Sequence, residues 1–206
     1  AGSGQAELLQ ALAGRRPFQG RVRFRGVQWP RAPARLFALG VAHIPEERNM
    51  GVVGGMSVAE NLALRTYRRF APRGLLNLRA MEREAEALIQ SYGIRTPSPR
   101  TPVRYLSGGN VQKVILAREL QGGPRLLLAM HPTYGVDVGA SEEVHGRILE
   151  LLKKGTAVLL VSEDLDEILA LSHRVAALHR GRFVGPIPRE EVDRERLGWM
   201  MTEGRA

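Results

Sequence analysis

The fold turns on RYLSGGNVQKVILAREL, residues 104–120. Gly108 and Gly109 let the backbone come close to an anion, and Ser107 adds a hydroxyl. A helix starting near Val111 would aim its free N–H groups and positive dipole end at the same point. A Ser-Gly-Gly turn before a helix is by itself an ordinary structural element. Its continuation carries more information: Gln112 and Lys113 lead into LAREL, GGP breaks the helix, and RLLLAM reads as a buried strand. The strand opens into HPTYGVD (131–137), a polar turn with Pro-Thr and Gly-x-Asp.

Outward from this centre the pattern alternates. ASEEVHGRILELLKKG reads as a helix, acidic at its start and basic at its end, as the helix dipole favours. TAVLLVS is a strand, EDLDEILALS a helix with acids in its first turn, and RVAALHRGRFVG a strand, turn and strand. Strands alternating with helices imply a parallel sheet covered by helices. The tail EEVDRERLGWMMTEGRA reads as a short helix with a frayed end. Upstream, QAELLQALAG places Ala6, Leu9 and Ala13 at helical spacing with Gly14 as the stop. GRVRFRGVQW alternates as short antiparallel strands, and LGVAHIPEERNMG runs from a strand into a polar loop. In MSVAENLAL, Ser57 and Glu60 form a capping-box pair. LRAMEREAEALIQSYG is an amphipathic helix ended by Gly93, and three prolines shape the loop RTPSPRTP. Residues 57–118 thus form a helical insertion between sheet-forming parts.

Composition narrows the class. The chain has 206 residues, 44% apolar, enough for one substantial core. No apolar run approaches the roughly 20 residues that span a bilayer. No signal peptide is visible, and AGSGQ already reads as the middle of a motif, so an N-terminal portion is expected to be missing. There is no cysteine, and the 5 histidines are scattered without metal-ligand spacing; no metal site is expected. The net charge is +9, nearly all of it from arginine, as codon usage and solvated faces, or contact with a membrane surface or acidic partner, would explain. Aromatics make up only 5% and are not interleaved with the basic residues, which argues against nucleic acid as partner.

GSGQAELLQALAG, IPEER followed by SVAENLAL, LSGGNVQKVILAREL, PTYGVDVGA and SEDLDEILALSHRV together resemble the ATP-binding subunit of ATP-binding cassette (ABC) transporters. The resemblance covers essentially the whole chain. It is strongest to the C-terminal cassette of the double-cassette subunit serving sugar and nucleoside importers. It implies an α/β, P-loop NTPase cassette: a mostly parallel sheet with flanking helices, an antiparallel β piece and the inserted helical subdomain at 57–118. The whole of 1–206 would be one cassette, partial at its N-terminus.

Residue by residue, the resemblance implies an uneven site. An active phosphate loop ends in Gly-Lys-Ser or Gly-Lys-Thr, whose lysine contacts phosphates and whose hydroxyl binds magnesium. Here Gly4 is followed by Gln5 and Ala6. Gly2 and Gly4 are compatible with an anion-binding turn and equally with a plain helix start. The magnesium-linked Asp aligns with Met130, the catalytic Glu with His131, and the switch histidine with Glu163. Met130 offers no hard oxygen; His131 reads better as a turn filler than as a base, and Glu163 better as a helix-start acid than as a phosphate sensor. With these elements absent together, the cassette is expected not to hydrolyse ATP at its own site.

The intact half points elsewhere. In the family two cassettes face each other head to tail, so Leu106, Ser107, Gly108 and Gly109 would serve ATP held by a second cassette. That second cassette is expected N-terminal in the same full-length chain and would bind most of the magnesium. Gln112 and Asp137 join this nucleotide set, with Asp137 crossing the interface. Glu46, Glu47 and Arg48 of the IPEER loop would form the coupling surface toward integral membrane permease subunits, with an extracytoplasmic substrate-binding protein as an indirect partner. The expected location is peripheral, on the cytoplasmic face of the membrane. LLLAMHPTYGVDVGA, SEDLDEILALS and RTPSPRTPVRYLSGGN resemble the nucleoside-type more than the ribose-type importers. The alternatives are an ATP-binding scaffold without a transporter, or a cassette protein associated with nucleic acid or ribosomes.

Overall fold

The computed structural model describes residues 2–72 and 74–204. Its elements run in the order α1 (Gln5–Leu12), β1 (Arg23–Phe24), β2 (Val27–Gln28), α2 (Pro33–Ala38), β3 (Val41–Ile44), α3 (Val58–Ala63), α4 (Leu78–Ser91), α5 (Gly108–Leu120), β4 (Leu126–Met130), α6 (Val138–Lys153), β5 (Ala157–Val161), α7 (Leu165–Leu171), β6 (Arg174–His179), β7 (Arg182–Pro188) and α8 (Arg194–Thr202). The chain divides into two compact units.

The first unit comprises residues 2–43, 125–131 and 145–204. Its sheet has the order β3-β4-β5. β4 and β5 are parallel, in register from Leu126 opposite Ala157 to Met130 opposite Val161. A parallel pair needs a long crossover, and the 16 residues of α6 supply it. β4 is a run of apolar residues because both its faces are covered; Leu127, Leu128 and Ala129 are completely buried. Leu9, Trp29, Leu36, Val41, Leu128 and Met130 form the apolar cluster against the sheet. Trp29 donates its indole N–H to the Leu12 carbonyl at 3.0 Å, so burial leaves no orphan donor there.

β1 and β2 pair antiparallel, as the alternating pattern predicts. The expected strand-helix-strand-helix-strand run ends differently: β6 leaves the parallel sheet and pairs antiparallel with β7. The reason is the tight Arg180-Gly181 turn, both residues with positive φ, which returns the chain onto itself at once. Val175, Ala177, Val184, Ile187, Leu197 and Met200 close a second small core beneath α8.

The second unit comprises residues 44–124 and 132–144. Ser57 caps α3 with the full reciprocal box: Glu60 N–H donates to its hydroxyl oxygen, and its own N–H donates to Glu60 at 2.7 Å. Behind the box, Asn61 is wholly buried. Its side-chain oxygen accepts from Val53 N–H at 2.8 Å, and its NH2 faces the carbonyls of Val53, Met56 and Ser57. One amide thus satisfies a whole loop, 53–57, that would otherwise carry orphaned polar groups. α4 buries Met81 and Ala85, four residues apart on one face, and ends where Gly93 takes φ +56°. The C-terminal end of α4 is tied to α5 by Lys113 Nζ on the Gly93 carbonyl at 3.1 Å.

Two helices begin earlier than the sequence pattern suggests. α5 starts at Gly108 rather than near Val111, so both glycines lie in its first turn. α6 starts at Val138 with no acid in its first turn. Its start is set instead by Asp137, whose Oδ1 accepts from Ala140 N–H at 3.0 Å while its carbonyl takes Ser141 N–H at 2.9 Å. The Ala140 N–H, reinforced by the positive charges of Lys113 and Arg95, holds the Asp137 carboxyl below its ordinary value of 3.8.

Asn61→Ala leaves several buried groups unpaired and should cost about 3 kcal/mol, against about 1 kcal/mol for Ser57→Ala, in urea unfolding of the chain. The capping contribution of Asp137 has a definite pH sign. A lowered folded pKa makes it present above 3.8 and lost as pH falls through the folded value. A carboxyl titration by NMR should show a midpoint below 3.8 for Asp137. Asp137→Asn, which keeps the acceptor oxygen, should remove that part of the acid limb of the stability curve.

Candidate functional site

The expected contact residues fall into two sets, one in each unit. In the second unit Ser107 stands at the N-cap of α5, exposed, with Gly108 exposed behind it. The first N–H groups of a helix have no partner within it, and α5 presents them with its dipole. The Ser107 hydroxyl does not cap them. It accepts from Asn110 Nδ2 at 2.8 Å, while Asn110 Oδ1 accepts the backbone N–H of Arg95 at 2.7 Å. The Arg95 N–H therefore fixes which way the Asn110 amide faces, and the amide in turn makes Ser107 Oγ an acceptor. The exposed hydroxyl keeps its own proton as a donor, beside the first N–H groups of the helix. That is the arrangement an anion needs. Asn110 and Arg95 are absent from the sequence-based set. The signal for Asn110 was the last letter of LSGGN; nothing in the pattern marked Arg95.

Gln112 is placed differently from Ser107. It is 2% exposed, and its NH2 donates to the Pro132 carbonyl at 2.9 Å. It acts on the 132–137 turn rather than at the surface. Leu106 is half-buried and Asp137 exposed, with one carboxylate oxygen engaged by Ala140. Glu46 and Glu47 are exposed. Together with Arg48, Arg104, Leu106 and Tyr134 they line an open groove of about 700 Å³.

The first unit holds Gln5, Ala6, Met130, His131 and Glu163, the positions read as replacing hydrolytic residues. Gly2 and Gly4 both have positive φ, +86° and +107°, and Gly4 caps α1. The turn they form is closed by the protein itself: Gln5 Oε1 accepts the Ser3 N–H at 3.1 Å, and the Ser3 carbonyl accepts Gly181 N–H at 3.0 Å. Ala6 packs on the apolar cluster that contains Met130, which is only 5% exposed. His131 takes φ +46°, a backbone that histidine tolerates better than most residues. Its N–H donates to the Val161 carbonyl at 2.9 Å, extending the β4–β5 pairing by one residue. Glu163 is exposed and precedes Asp164, which caps α7 by accepting from the N–H groups of Asp166 and Glu167.

Magnesium does not fit this set. Ala6 and the buried Met130 offer no oxygen, and among the described residues no three His, Cys, Asp or Glu side chains are grouped to hold a metal. No helix among the described residues is long and apolar enough to cross a membrane.

Comparison with known proteins agrees with this architecture. The family model "ABC transporter" matches residues 1–134. The guanosine import ATP-binding protein NupO of Bacillus subtilis is 38% identical over 98% of this chain and 40% of its own length. The glucose import ATP-binding protein TsgD13 of Haloferax volcanii is 41% identical over 98% of this chain and 38% of its own. The nucleoside import ATP-binding protein NupA of Lactococcus lactis is 36% identical, over 98% and 41%. The chain thus spans about two-fifths of the length of these relatives. Among solved structures, the ATP-binding cassette MJ0796, dimeric and bound to ADP and Pi, superposes with a TM-score of 0.72 over 88% of this chain and 80% of that one, at 20% identity. The ADP conformation of the cassette MJ1267 gives 0.67 over 96% and 83%, at 22%. With the family model covering well over half of its residues and the cassette fold in its elements, the chain belongs to the ABC transporter family.

Proposed function

We propose that this chain is the ATP-binding cassette of an import system for nucleosides or simple sugars, that its own nucleotide site does not hydrolyse ATP, and that its LSGGN turn completes the ATP site of a second cassette. The observation that carries the reading is the exposed Ser107 hydroxyl, held as an acceptor by Asn110 at 2.8 Å and keeping its own proton as a donor at the N-terminus of α5. Nothing comparable exists in the other set, where Gln5 closes the loop onto Ser3 and apolar packing takes the place of the magnesium ligands. Each electrostatic contact missing around a transferring phosphoryl group typically lowers the rate by orders of magnitude, so the joint loss of Lys, Ser, Asp and Glu leaves no hydrolytic apparatus.

In this reading ATP binds between the second cassette's phosphate loop and this chain's Ser107, Gly108 and Gly109. Gln112 contributes by holding the 132–137 turn, and Asp137 stands at the interface on that turn. Magnesium belongs to the second cassette. Glu46 and Glu47 face the permease subunits, which places the protein at the inner membrane surface. The named relatives import guanosine, nucleosides or glucose, and the RTPSPRTPVRYLSGGN loop favours a nucleoside over a simple sugar. The transported molecule passes through other subunits, so its identity is not written in these residues.

The purified chain should show no magnesium-dependent ATP turnover above background; robust turnover would refute the degenerate site. In a protein that carries this chain together with a competent cassette, Ser107→Arg should lower ATPase activity by at least about a hundredfold, since a bulky side chain replaces the donor. Unchanged turnover would refute the trans contact.

A further inference from the structure

Arg48, expected as part of a surface that meets other subunits, lines the open groove half-buried, with its guanidinium between two glycines of its own unit. Its Nη2 donates to the Tyr134 carbonyl, and the guanidinium carbon lies 5.5 Å from the Tyr134 ring centroid. A Cβ on Gly108 would collide with Nη1, with the guanidinium carbon at 3.6 Å. A Cβ on Gly135 would collide with Nη2 and meet the guanidinium carbon at 3.0 Å. The guanidinium lies in space that a side chain at 108 or 135 would contest, so a substitution at either position would displace the end of Arg48.

The same loop has a second anchor. Gly51, which ends the short 3-10 turn Arg48–Met50, lies so close to α5 that a Cβ there would meet Ile115 Cδ1 at 2.6 Å. Gly108 and Ile115 are seven residues apart, about 10 Å along the helix axis. Two attachments at that separation fix the loop's direction as well as its position.

We propose that Arg48 is a positioning residue: it locks the 46–51 loop to the first turn of α5 and to the Tyr134-Gly135 turn, so that a displacement of the exposed Glu46 and Glu47 shifts Ser107 relative to the ATP it contacts. The proposal rests on the trans role of Ser107 given above. It uses the properties that separate arginine from lysine: a planar fork that donates to a carbonyl while its face lies on an aromatic ring.

The test uses the protein that carries this chain with a competent cassette and its permease, comparing Ser107→Arg, Arg48→Ala, Arg48→Lys and Gly135→Asn. Asparagine tolerates the left-handed backbone at 135, φ +64°, but puts a Cβ where the guanidinium sits. The expected result is that Ser107→Arg abolishes turnover, while Arg48→Ala lowers kcat about tenfold with KM for ATP unchanged. Arg48→Lys should not rescue, and Gly135→Asn should reproduce the kcat loss with Arg48 still present. If Ser107→Arg abolishes turnover but Arg48→Ala and Gly135→Asn leave kcat intact, Arg48 has no positioning role and the trans reading stands. If Ser107→Arg has no effect, the trans reading fails and the role of Arg48 fails with it. Rescue by lysine would also overturn the proposal, because charge alone would then suffice. A fall in kcat accompanied by a lower melting temperature in Arg48→Ala, but not seen in a normally melting Gly135→Asn, would reduce Arg48 to a structural contact.

Discussion

The hydrogen bond from Gln112 to the Pro132 carbonyl organises the second unit. α5 is its most buried helix, and Gln112, its fifth residue, is the buried polar side chain of its N-terminal half. A buried amide without a partner would cost of the order of 1–3 kcal/mol, so the turn must come to it. Once Pro132 is held there, the next residues follow: Tyr134 offers its carbonyl to Arg48, Gly135 leaves room for the guanidinium, and Asp137 caps α6. The exposed LSGGN turn gains its order from contacts made behind it.

Much of this organisation is legible in the sequence because it is local. The capping box at Ser57 and Glu60, the stop at Gly93 and the β6–β7 reversal each depend on a few neighbouring residues and appear as expected. The misplaced helix starts have a local cause too. Glycine is a poor helix former, so pattern reading excludes Gly108 and Gly109 from α5; in the folded chain the Arg48 side chain and the buried length of α5 override that preference. Asp137 reads as an interface residue by resemblance, while its cap on Ala140 emerges only once Val138 is known to be helical.

What the sequence could not show is what depends on residues far apart in the chain. Arg48 and Tyr134 are separated by 86 positions, Gln112 and Pro132 by 20, and Arg95 and Asn110 by 15. Each contact joins a side chain to a backbone group. A backbone carbonyl or N–H has no residue-specific letter, so its partner leaves no motif. The carboxylates and hydroxyls of a catalytic site are visible by type; the amides that aim them are not.

The same distinction bears on the proposed loss of hydrolysis, which would leave the fold intact. At Met130 and Ala6 the side chains belong to an apolar cluster with Leu9 and Leu128. A carboxylate at such a position is costly unless a cation or hydrogen-bond donors meet it, so once its metal partner is gone an apolar residue is the more stable occupant. The argument applies to Ala6 and Met130, which share that cluster, and not to the polar Gln5, His131 and Glu163. The turn at Ser107 stands under no such pressure. Its polar groups face solvent, where water satisfies them without a ligand, and Gly108 lies against Arg48. The Ser107 hydroxyl, exposed and accepting from Asn110, keeps a proton that water takes as readily as a ligand would.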